Sequence, residues 1–194
     1  MYKKICLWIV MVFIPILGFA GSACHIFKNS THQMAKAVLH ITSDTIPQVQ
    51  GVIYFQETAE GLNLYATITK APPGVHGFHI HEFGDISNQG KAAGGHYNPN
   101  ETKHGDLLKD SYEGAHAGDL GNIFINDEGV GTLKLHIPKM SLVGGKYPIA
   151  GRSIVLHANA DKFTQPAGNA GARIAVGSIV LIDVTNYPET KEWF

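Results

Sequence analysis

Three histidines lie close together in the stretch 74–85, which reads Gly-Val-His-Gly-Phe-His-Ile-His-Glu-Phe-Gly-Asp. Successive side chains of an extended chain point to opposite faces. His79 and His81 therefore share one face of a short strand, while Phe78 and Ile80 point to the other. Imidazole is the commonest side-chain ligand of metal ions in proteins. This strand thus presents two metal donors over an apolar anchor, and the remaining donors must come from other parts of the chain.

Donors of the same kind recur further along the chain, which has eleven histidines in 194 residues. The candidates for the other half of the site are His96, His104, His116, Asp119 and His157. Most of them lie between positions 85 and 118, where glycine, alanine and polar residues dominate and no strand or helix period appears. A structureless segment of this length inside a compact domain requires a reason. Metal coordination is one, because ligand bonds can order a loop that has no core of its own.

Short strands with turns between them are predicted to hold these donors in place. Leu62, Leu64, Ala66 and Ile68 alternate with polar residues, which is typical of a half-buried antiparallel strand. Comparable patterns predict further strands at 36–41, 51–57, 74–81, 122–125, 131–137, 153–158 and 173–183. No stretch has a helical period. About eight strands in one domain predict an all-β sandwich or barrel.

The N-terminus predicts an exported protein. A basic start, an apolar run at 5–20 and small residues after it are typical of a secretory signal peptide cleaved after Ala20 or Ala23. We therefore predict a signal peptide at 1–23, a mobile lead-in at 24–35 and the functional domain at 36–194. The alternative is an uncleaved membrane anchor, for which the apolar run is short.

Cys24 adds a second interpretation of the N-terminus, because the residues before it loosely resemble a bacterial lipoprotein box, with Gly21 where leucine is usual. A membrane partner is expected only if Cys24 is lipidated. The other cysteine, Cys6, lies in the predicted signal, so the exported domain can form no internal disulfide. Removing Lys3 and Lys4 with the signal moves the formal net charge from −1 to −3, which argues against a nucleic-acid partner.

The motif at 74–85 and the later blocks, in this order, resemble the copper/zinc superoxide dismutases over about 36–183. Gly94-Gly95-His96-Tyr97-Asn98-Pro99 and the run from His116 to Asn122 carry the resemblance. It implies a Greek-key, eight-stranded antiparallel barrel or sandwich with long metal-binding and active-site loops. The short loop 162–172 is similar to bacterial members of the family. Export then implies a periplasmic or cell-envelope location.

The resemblance also implies the roles of the donors. The copper ligands fall on His79, His81, His96 and His157. The zinc ligands fall on His96, His104, His116 and Asp119. His96 would bridge the two metals, since a doubly deprotonated imidazole needs two nearby cations. Four imidazoles suit copper(II), and three histidines with one aspartate form a closed set typical of structural zinc.

Two further residues match family positions. Asp161 is implied as the carboxylate that hydrogen-bonds His79 and His104 and fixes both rings. Arg173 is implied as the active-site arginine, which together with His96 forms the catalytic pair. A mildly acidic protein with an anionic substrate needs such a local positive charge. His76 matches a structural position, and His25, His32, His40 and His136 match no ligand position.

The chain departs from the family at two places. The usual disulfide would join Val176 to the loop at Gly90 or Ile86, depending on the alignment, and none of these is cysteine. Losing such a bridge typically costs about 2–5 kcal/mol, so the position of this loop is open. The spacing from His104 to His116 is longer than expected, which indicates an insertion around 107–112.

The implied activity is the disproportionation of superoxide to dioxygen and hydrogen peroxide, an antioxidant function outside the cytoplasm, in a monomer or homodimer. One alternative is a protein that only binds or buffers copper and zinc on the same scaffold. It would be favoured by a missing ligand, bridge or arginine. A β-sandwich adhesion or structural domain is the other, but it would not need seven spaced donors.

Overall fold

The structure is a computed structural model that describes residues 33–43 and 48–183. The predicted signal peptide, most of the lead-in, both cysteines, His25 and His32 lie outside these residues. The strands are β1 (Met34–Val38), β2 (His40–Ile41), β3 (Gln50–Glu57), β4 (Gly61–Thr69), β5 (Gly74–His81), β6 (Asp119–Ile125), β7 (Gly131–Pro138), β8 (Met140–Ser141), β9 (Tyr147–Pro148), β10 (Ser153–His157), β11 (Arg173–Ser178) and β12 (Val180–Ile182). One helix, α1 (Leu107–Gly114), and a 3-10 turn at Lys91–Ala93 complete the described elements. Among the described residues, no helix has the length and apolar character needed to span a membrane.

Two five-stranded antiparallel sheets form a sandwich, which confirms the predicted all-β class. The first sheet has the order β12-β1-β3-β4-β7 and the second β2-β11-β10-β5-β6. The core between them includes Ile53, Phe55, Leu64, Phe78 and Ile154, each at most 1% exposed. The predicted alternation in β4 is confirmed, since Leu62, Leu64, Ala66 and Ile68 are all buried. The first strand begins at Met34, earlier than its sequence pattern indicates.

Two predicted strands are each divided between the sheets. The segment predicted as 36–41 forms β1 in the first sheet and β2 in the second, and the segment 173–183 forms β11 and β12. The two segments cross closely at this corner of the sandwich. A Cβ added to Gly177 would lie 2.5 Å from the carbonyl oxygen of Val38. Alternation alone cannot predict such a switch, because side chains stay buried on both sides of it.

The prediction of no helix between 85 and 118 was wrong at one place, where the inserted residues form α1. Asp106 caps this helix by accepting a hydrogen bond from the Leu108 amide at 3.2 Å. Tyr112 stacks on Tyr147 with ring centroids 3.7 Å apart and donates from its hydroxyl to the Pro138 carbonyl at 2.8 Å. The backbone leaves helical geometry at Ser111, where φ is 59°. Packing on β7 and on the segment before β10 therefore holds this short, kinked helix in place. Between β7 and β10, the short strands β8 and β9 form a parallel pair.

Candidate metal centre

The donors predicted from sequence converge on the outer face of the second sheet. His79 and His81 at the end of β5 are at most 1% exposed, while Phe78 and Ile80 enter the core as expected from strand alternation. β10 pairs with β5 and delivers His157 at its own end. The opposite edge of β5 pairs with β6, where His79 stands opposite Asp119. Adjacent antiparallel strands thus place donors from distant parts of the sequence on one face of the sheet.

The first group of donors contains only imidazoles, from His79, His81, His96 and His157. Their donor atoms all lie within 4.8 Å of one another. His81 Nδ1 donates to the Gly94 carbonyl at 3.0 Å and His157 Nδ1 donates to the Gly171 carbonyl at 3.2 Å. These carbonyls fix the tautomers. The two Nε2 atoms, 3.3 Å apart, therefore both carry lone pairs that converge, an arrangement that only a proton or a metal cation can satisfy.

The second group comprises His96, His104, His116 and Asp119, again with donor atoms within 4.8 Å of one another. Asp119 lies at its centre, fully buried. One of its carboxylate oxygens, Oδ1, accepts from His96 Nδ1 at 2.7 Å and from His116 Nδ1 at 3.1 Å. The other, Oδ2, accepts from the Gly105 and His116 amides, each at 3.0 Å. Since Nδ1 of His96 belongs to this group, its Nε2 is left for the first group, and His96 is shared.

Asp161 connects the two groups from behind. Its carboxylate accepts from His79 Nε2 at 2.8 Å and from His104 Nε2 at 3.0 Å. With those nitrogens engaged, Nδ1 of His79 and Nδ1 of His104 are buried and lack hydrogen-bond partners. His104 Nδ1 does lie 2.9 Å from Asp119 Oδ2, but the two are not aligned for a hydrogen bond. Buried polar atoms rarely stay unsatisfied, so these two nitrogens fit metal ligation, one in each group.

The electrostatics of the two groups differ. Burial, aided by neighbouring imidazoles, lowers the pKa of His81 to about 2 and that of His157 to about 3. Burial also lowers the pKa of His96 to about 4, against the pull of Asp119. Burial alone would lower the pKa of His104, but Asp119 and Asp161 outweigh it and raise that pKa to about 9. His81, His96 and His157 are therefore neutral with free lone pairs, and the second group is organised around an anion.

These shifts predict the pH dependence of the chain after its metals have been chelated. The pKa values of His81, His96 and His157 are lowered in the folded chain, so the unfolded chain binds more protons once the pH falls below the ordinary pKa of about 6.5. Each of these histidines then lowers the free energy of unfolding by at most about 1.4 kcal/mol per pH unit. The raised pKa of His104 acts in the opposite direction, since its contribution is complete below about 6.5 and is lost as pH rises towards 9.

We therefore expect the free energy of unfolding of the chelated chain, measured in urea, to be highest near pH 6.5. His81→Gln should make the acid side of this curve shallower, because one imidazole no longer has to be protonated on unfolding. A free energy that does not change between about pH 5 and 6.5 would contradict the assignment of three buried neutral histidines.

Arg173 stands at the start of β11 and lines a cavity of about 540 Å³ together with His81, His96 and His157. Its guanidinium donates to the carbonyls of Gly90 and Gly94. These two bonds join the arginine to the loop that follows β5. The arginine therefore holds a fixed position beside the first donor group while its positive charge faces the cavity.

The loop that follows β5 is also held by apolar contacts. Val176 is 2% exposed and packs with Ala93 and Val155, against which Ile86 also packs. A Cβ added to Gly90 would lie 3.2 Å from Val176 Cγ1. The positions that the family resemblance paired by a disulfide are therefore neighbours in this fold, joined by an apolar cluster.

The remaining described histidines lie outside both donor groups. The ring nitrogens of His76 lie 2.8 Å from the His157 carbonyl oxygen and 2.9 Å from that of Pro72, a structural position. His136 is exposed and contacts Asn63 Oδ1 through Nδ1 at 2.8 Å. His40 is exposed on β2.

Two contacts at the site were not found from the sequence. The side-chain amide of Gln165 makes two hydrogen bonds with the backbone of His104. Its Oε1 accepts from the His104 amide at 3.1 Å, and its Nε2 donates to the His104 carbonyl at 2.8 Å. Gly118 lies where three ligand-bearing segments cross. A Cβ there would lie 2.1 Å from the Ile80 carbonyl oxygen and 2.9 Å from the Tyr97 amide nitrogen. Neither residue type carries a local signal for such a contact, because the partners are remote in sequence.

Gly118→Ala should therefore destabilise the folded chain by about 3 kcal/mol or more, because a backbone carbonyl cannot move aside without breaking its hydrogen bond. Gly95→Ala is the matched control, since a Cβ at Gly95 meets nothing within 4 Å. Urea unfolding measures both. Equal free energies of unfolding for the two variants would show that the crossing tolerates a side chain.

Comparison with known proteins agrees with this geometry. The family model described as copper/zinc superoxide dismutase (SODC) matches residues 49–179. Superoxide dismutase [Cu-Zn] 2 of Brassica juncea is 38% identical over 141 residues, covering 69% of this chain and 90% of the relative. Extracellular superoxide dismutase [Cu-Zn] of Onchocerca volvulus is 32% identical over 203 residues, covering 91% and 96%.

Among solved structures, the crystal structure of the clock protein EA4 aligns with a TM-score of 0.68 and 34% sequence identity, covering 79% of this chain and 97% of that one. The matching family model spans most of the sandwich and all seven donors. With a histidine-only group and a histidine–aspartate group that share His96, this chain belongs to the copper/zinc superoxide dismutase family.

Proposed function

We propose that this chain disproportionates superoxide with copper bound by His79, His81, His96 and His157 and structural zinc bound by His96, His104, His116 and Asp119. The observation that carries this assignment is the position of His96, whose Nδ1 contacts Asp119 while its ring also belongs to the all-imidazole group. Copper, when bound, supplies the one-electron redox chemistry of the reaction. Neutral imidazoles suit copper(II), and the closed histidine–aspartate set suits zinc.

Arg173 attracts the substrate in this proposal. Superoxide is an anion and the chain has a formal net charge of −1, so a local positive charge is needed to concentrate substrate at the cavity. The guanidinium is held by two backbone carbonyls and keeps further N–H groups for an anion. It is thereby preorganised, and little side-chain freedom is lost when substrate arrives.

His96 provides the proton in the same proposal. Its ring lines the cavity, and its Nδ1 stays directed at Asp119. Nε2 is then the atom that can accept a proton and return it to the reduced product. Asp161 has a positioning role, because it accepts from both His79 and His104 and so couples the orientation of one ring in each group.

We further propose that the loop after β5 is held without a disulfide. Val176 and the partly buried Ile86 pack in one apolar cluster, and full burial of a side chain such as Val176 contributes about 1.5–3 kcal/mol. Arg173 adds its two bonds to the Gly90 and Gly94 carbonyls. The positions that would carry the bridge are not cysteine, and the cysteines of the chain are Cys6 and Cys24.

Export to the periplasm or cell envelope, in a bacterial type of this family, is also proposed. It is supported by the signal-like N-terminus and by similarity to a relative named as extracellular. Lipid attachment at Cys24 and assembly as a homodimer belong to the same proposal. The mass of the mature chain tests cleavage and lipidation together, and its molar mass in solution tests the dimer.

Metal analysis combined with a superoxide-consumption assay tests the function. One copper and one zinc per chain with rapid superoxide consumption are expected. Copper bound at one per chain without activity would instead favour a copper- and zinc-binding protein on the same scaffold, the alternative function. The presence of Arg173 beside the donors favours the enzyme, because a metal store needs no anion-attracting charge at the metal.

A further inference from the structure

Arg152, just before β10, makes a set of contacts that the proposed reaction does not use. Its guanidinium carbon lies 3.5 Å from the centroid of the Tyr97 ring. Nε donates to the Pro148 carbonyl at 2.8 Å and Nη1 donates to the Glu82 carbonyl at 2.7 Å. A stacked guanidinium with two fixed donors is a rigid arrangement that lysine cannot reproduce. The contact therefore fixes the plane of the Tyr97 ring.

Tyr97 is the residue through which such a contact reaches the metal centre. It directly follows His96 and is 3% exposed. Its amide donates to the Ile80 carbonyl, the Ile80 amide donates to the Gly118 carbonyl, and the Gly118 amide donates back to the Tyr97 carbonyl, each at 2.9 Å. The three segments that meet in this closed triangle of hydrogen bonds carry donors of both groups. None of the three residues is itself a metal donor. Their hydrogen bonds join the backbones beside the donors and so set the distances between those backbones.

The Ile80 corner lies between His79 and His81, and the Gly118 corner directly precedes Asp119. The contact of Arg152 with the Glu82 carbonyl fixes the chain just after His81. Arg152 thus holds the backbone just after the donor strand β5 and, through Tyr97, supports the backbone next to His96. Metal sites respond to such supporting contacts, whose loss typically weakens binding by about 10- to 100-fold.

We propose that Arg152 is a positioning residue for the metal centre, which acts by stacking on Tyr97 and thereby holding the His96 segment in register with the donors on β5 and at the start of β6. This inference rests on the proposed function of the two donor groups. It predicts that removing the stack changes the geometry of bound copper(II), and does not only lower stability.

The test compares Arg152→Met, Arg152→Lys, Tyr97→Leu and Tyr97→Phe in the metal-loaded chain. Tyr97→Phe keeps the aromatic face and should behave as the parent chain. Arg152→Met and Tyr97→Leu should both shift the copper(II) electron paramagnetic resonance spectrum, weaken zinc binding in a chelator competition by about tenfold, and lower superoxide consumption per bound copper. Arg152→Lys should give values between those of the parent chain and those of Arg152→Met. Combining Arg152→Met with Tyr97→Leu should change the copper spectrum, zinc affinity and activity no more than either single substitution, because both remove the same contact.

Lys134→Met is the matched control, because Lys134 Nζ lies 5.1 Å from the Tyr65 ring centroid on the first sheet, away from the donors. It should leave the copper spectrum and zinc affinity unchanged. A lower melting temperature for Arg152→Met with the parent copper spectrum, zinc affinity and activity per copper would overturn the proposal, and if that variant fails to fold, the Tyr97 pair decides in the same way. A parent chain that binds copper but consumes no superoxide would contradict the proposed function, while the copper(II) spectra would still test Arg152.

Discussion

His96→Ala is expected to remove copper and zinc together and to lower superoxide consumption by at least about a hundredfold. His96 is the one residue that belongs to both donor groups among the described residues. Its Nδ1 lies 2.7 Å from Asp119 Oδ1, within the second group. Its ring also closes the first group, with its centroid 4.2 Å from that of His79. Alanine at position 96 therefore removes one ligand from each metal site. It also removes Nε2, the atom proposed to carry the proton.

Metal analysis of the purified variants checks this expectation. His81→Ala and His116→Ala each change one group, so each should weaken one metal more than the other. His136→Ala is the control for the loss of a histidine, because His136 is exposed and contacts Asn63. Retention of one metal at the parent affinity in His96→Ala would show that His96 is not shared.

Arg173→Ala is expected to lower superoxide consumption by about tenfold or more while copper stays bound. The guanidinium provides the positive charge that lines the cavity beside His81, His96 and His157. A charged wall raises the local concentration of an anionic substrate, and salt screens this effect over a Debye length of about 8–10 Å at physiological ionic strength. The rate of the parent chain should therefore fall as salt is added, and the rate of the variant should fall less.

The arginine also holds the loop carbonyls of Gly90 and Gly94, so the charge and the structural contact must be separated. Arg173→Lys keeps the charge but cannot hold both carbonyls in the same fork. If attraction dominates, lysine should restore most of the rate and of the salt dependence. Lys139→Ala removes an exposed cation beside α1 and should change neither. Loss of copper in Arg173→Ala would contradict the role assigned to the arginine.

The parts of the fold and site that were predictable are those that depend on neighbours in sequence. Alternation in β4 and β5 predicted which side chains face the core, and the structure has Phe78 and Ile80 buried there. The division of the predicted terminal strands between two sheets was not predictable, because it depends on the close crossing of Gly177 and Val38. α1 was missed for the same kind of reason, since Tyr112 is ordered by its stack on Tyr147.

The sequence by itself determined the donor inventory of this protein, because residue type and strand alternation decide which imidazoles can stand side by side. Only the tertiary structure decided which nitrogen of each ring faces which group. That choice depends on acceptors far away in the chain, such as Asp161, which is 82 positions from His79. The triangle of Ile80, Tyr97 and Gly118 and the stack of Arg152 on Tyr97 have the same origin. Such contacts form when remote segments meet, so no local pattern encodes them, and they set the geometry on which metal binding depends.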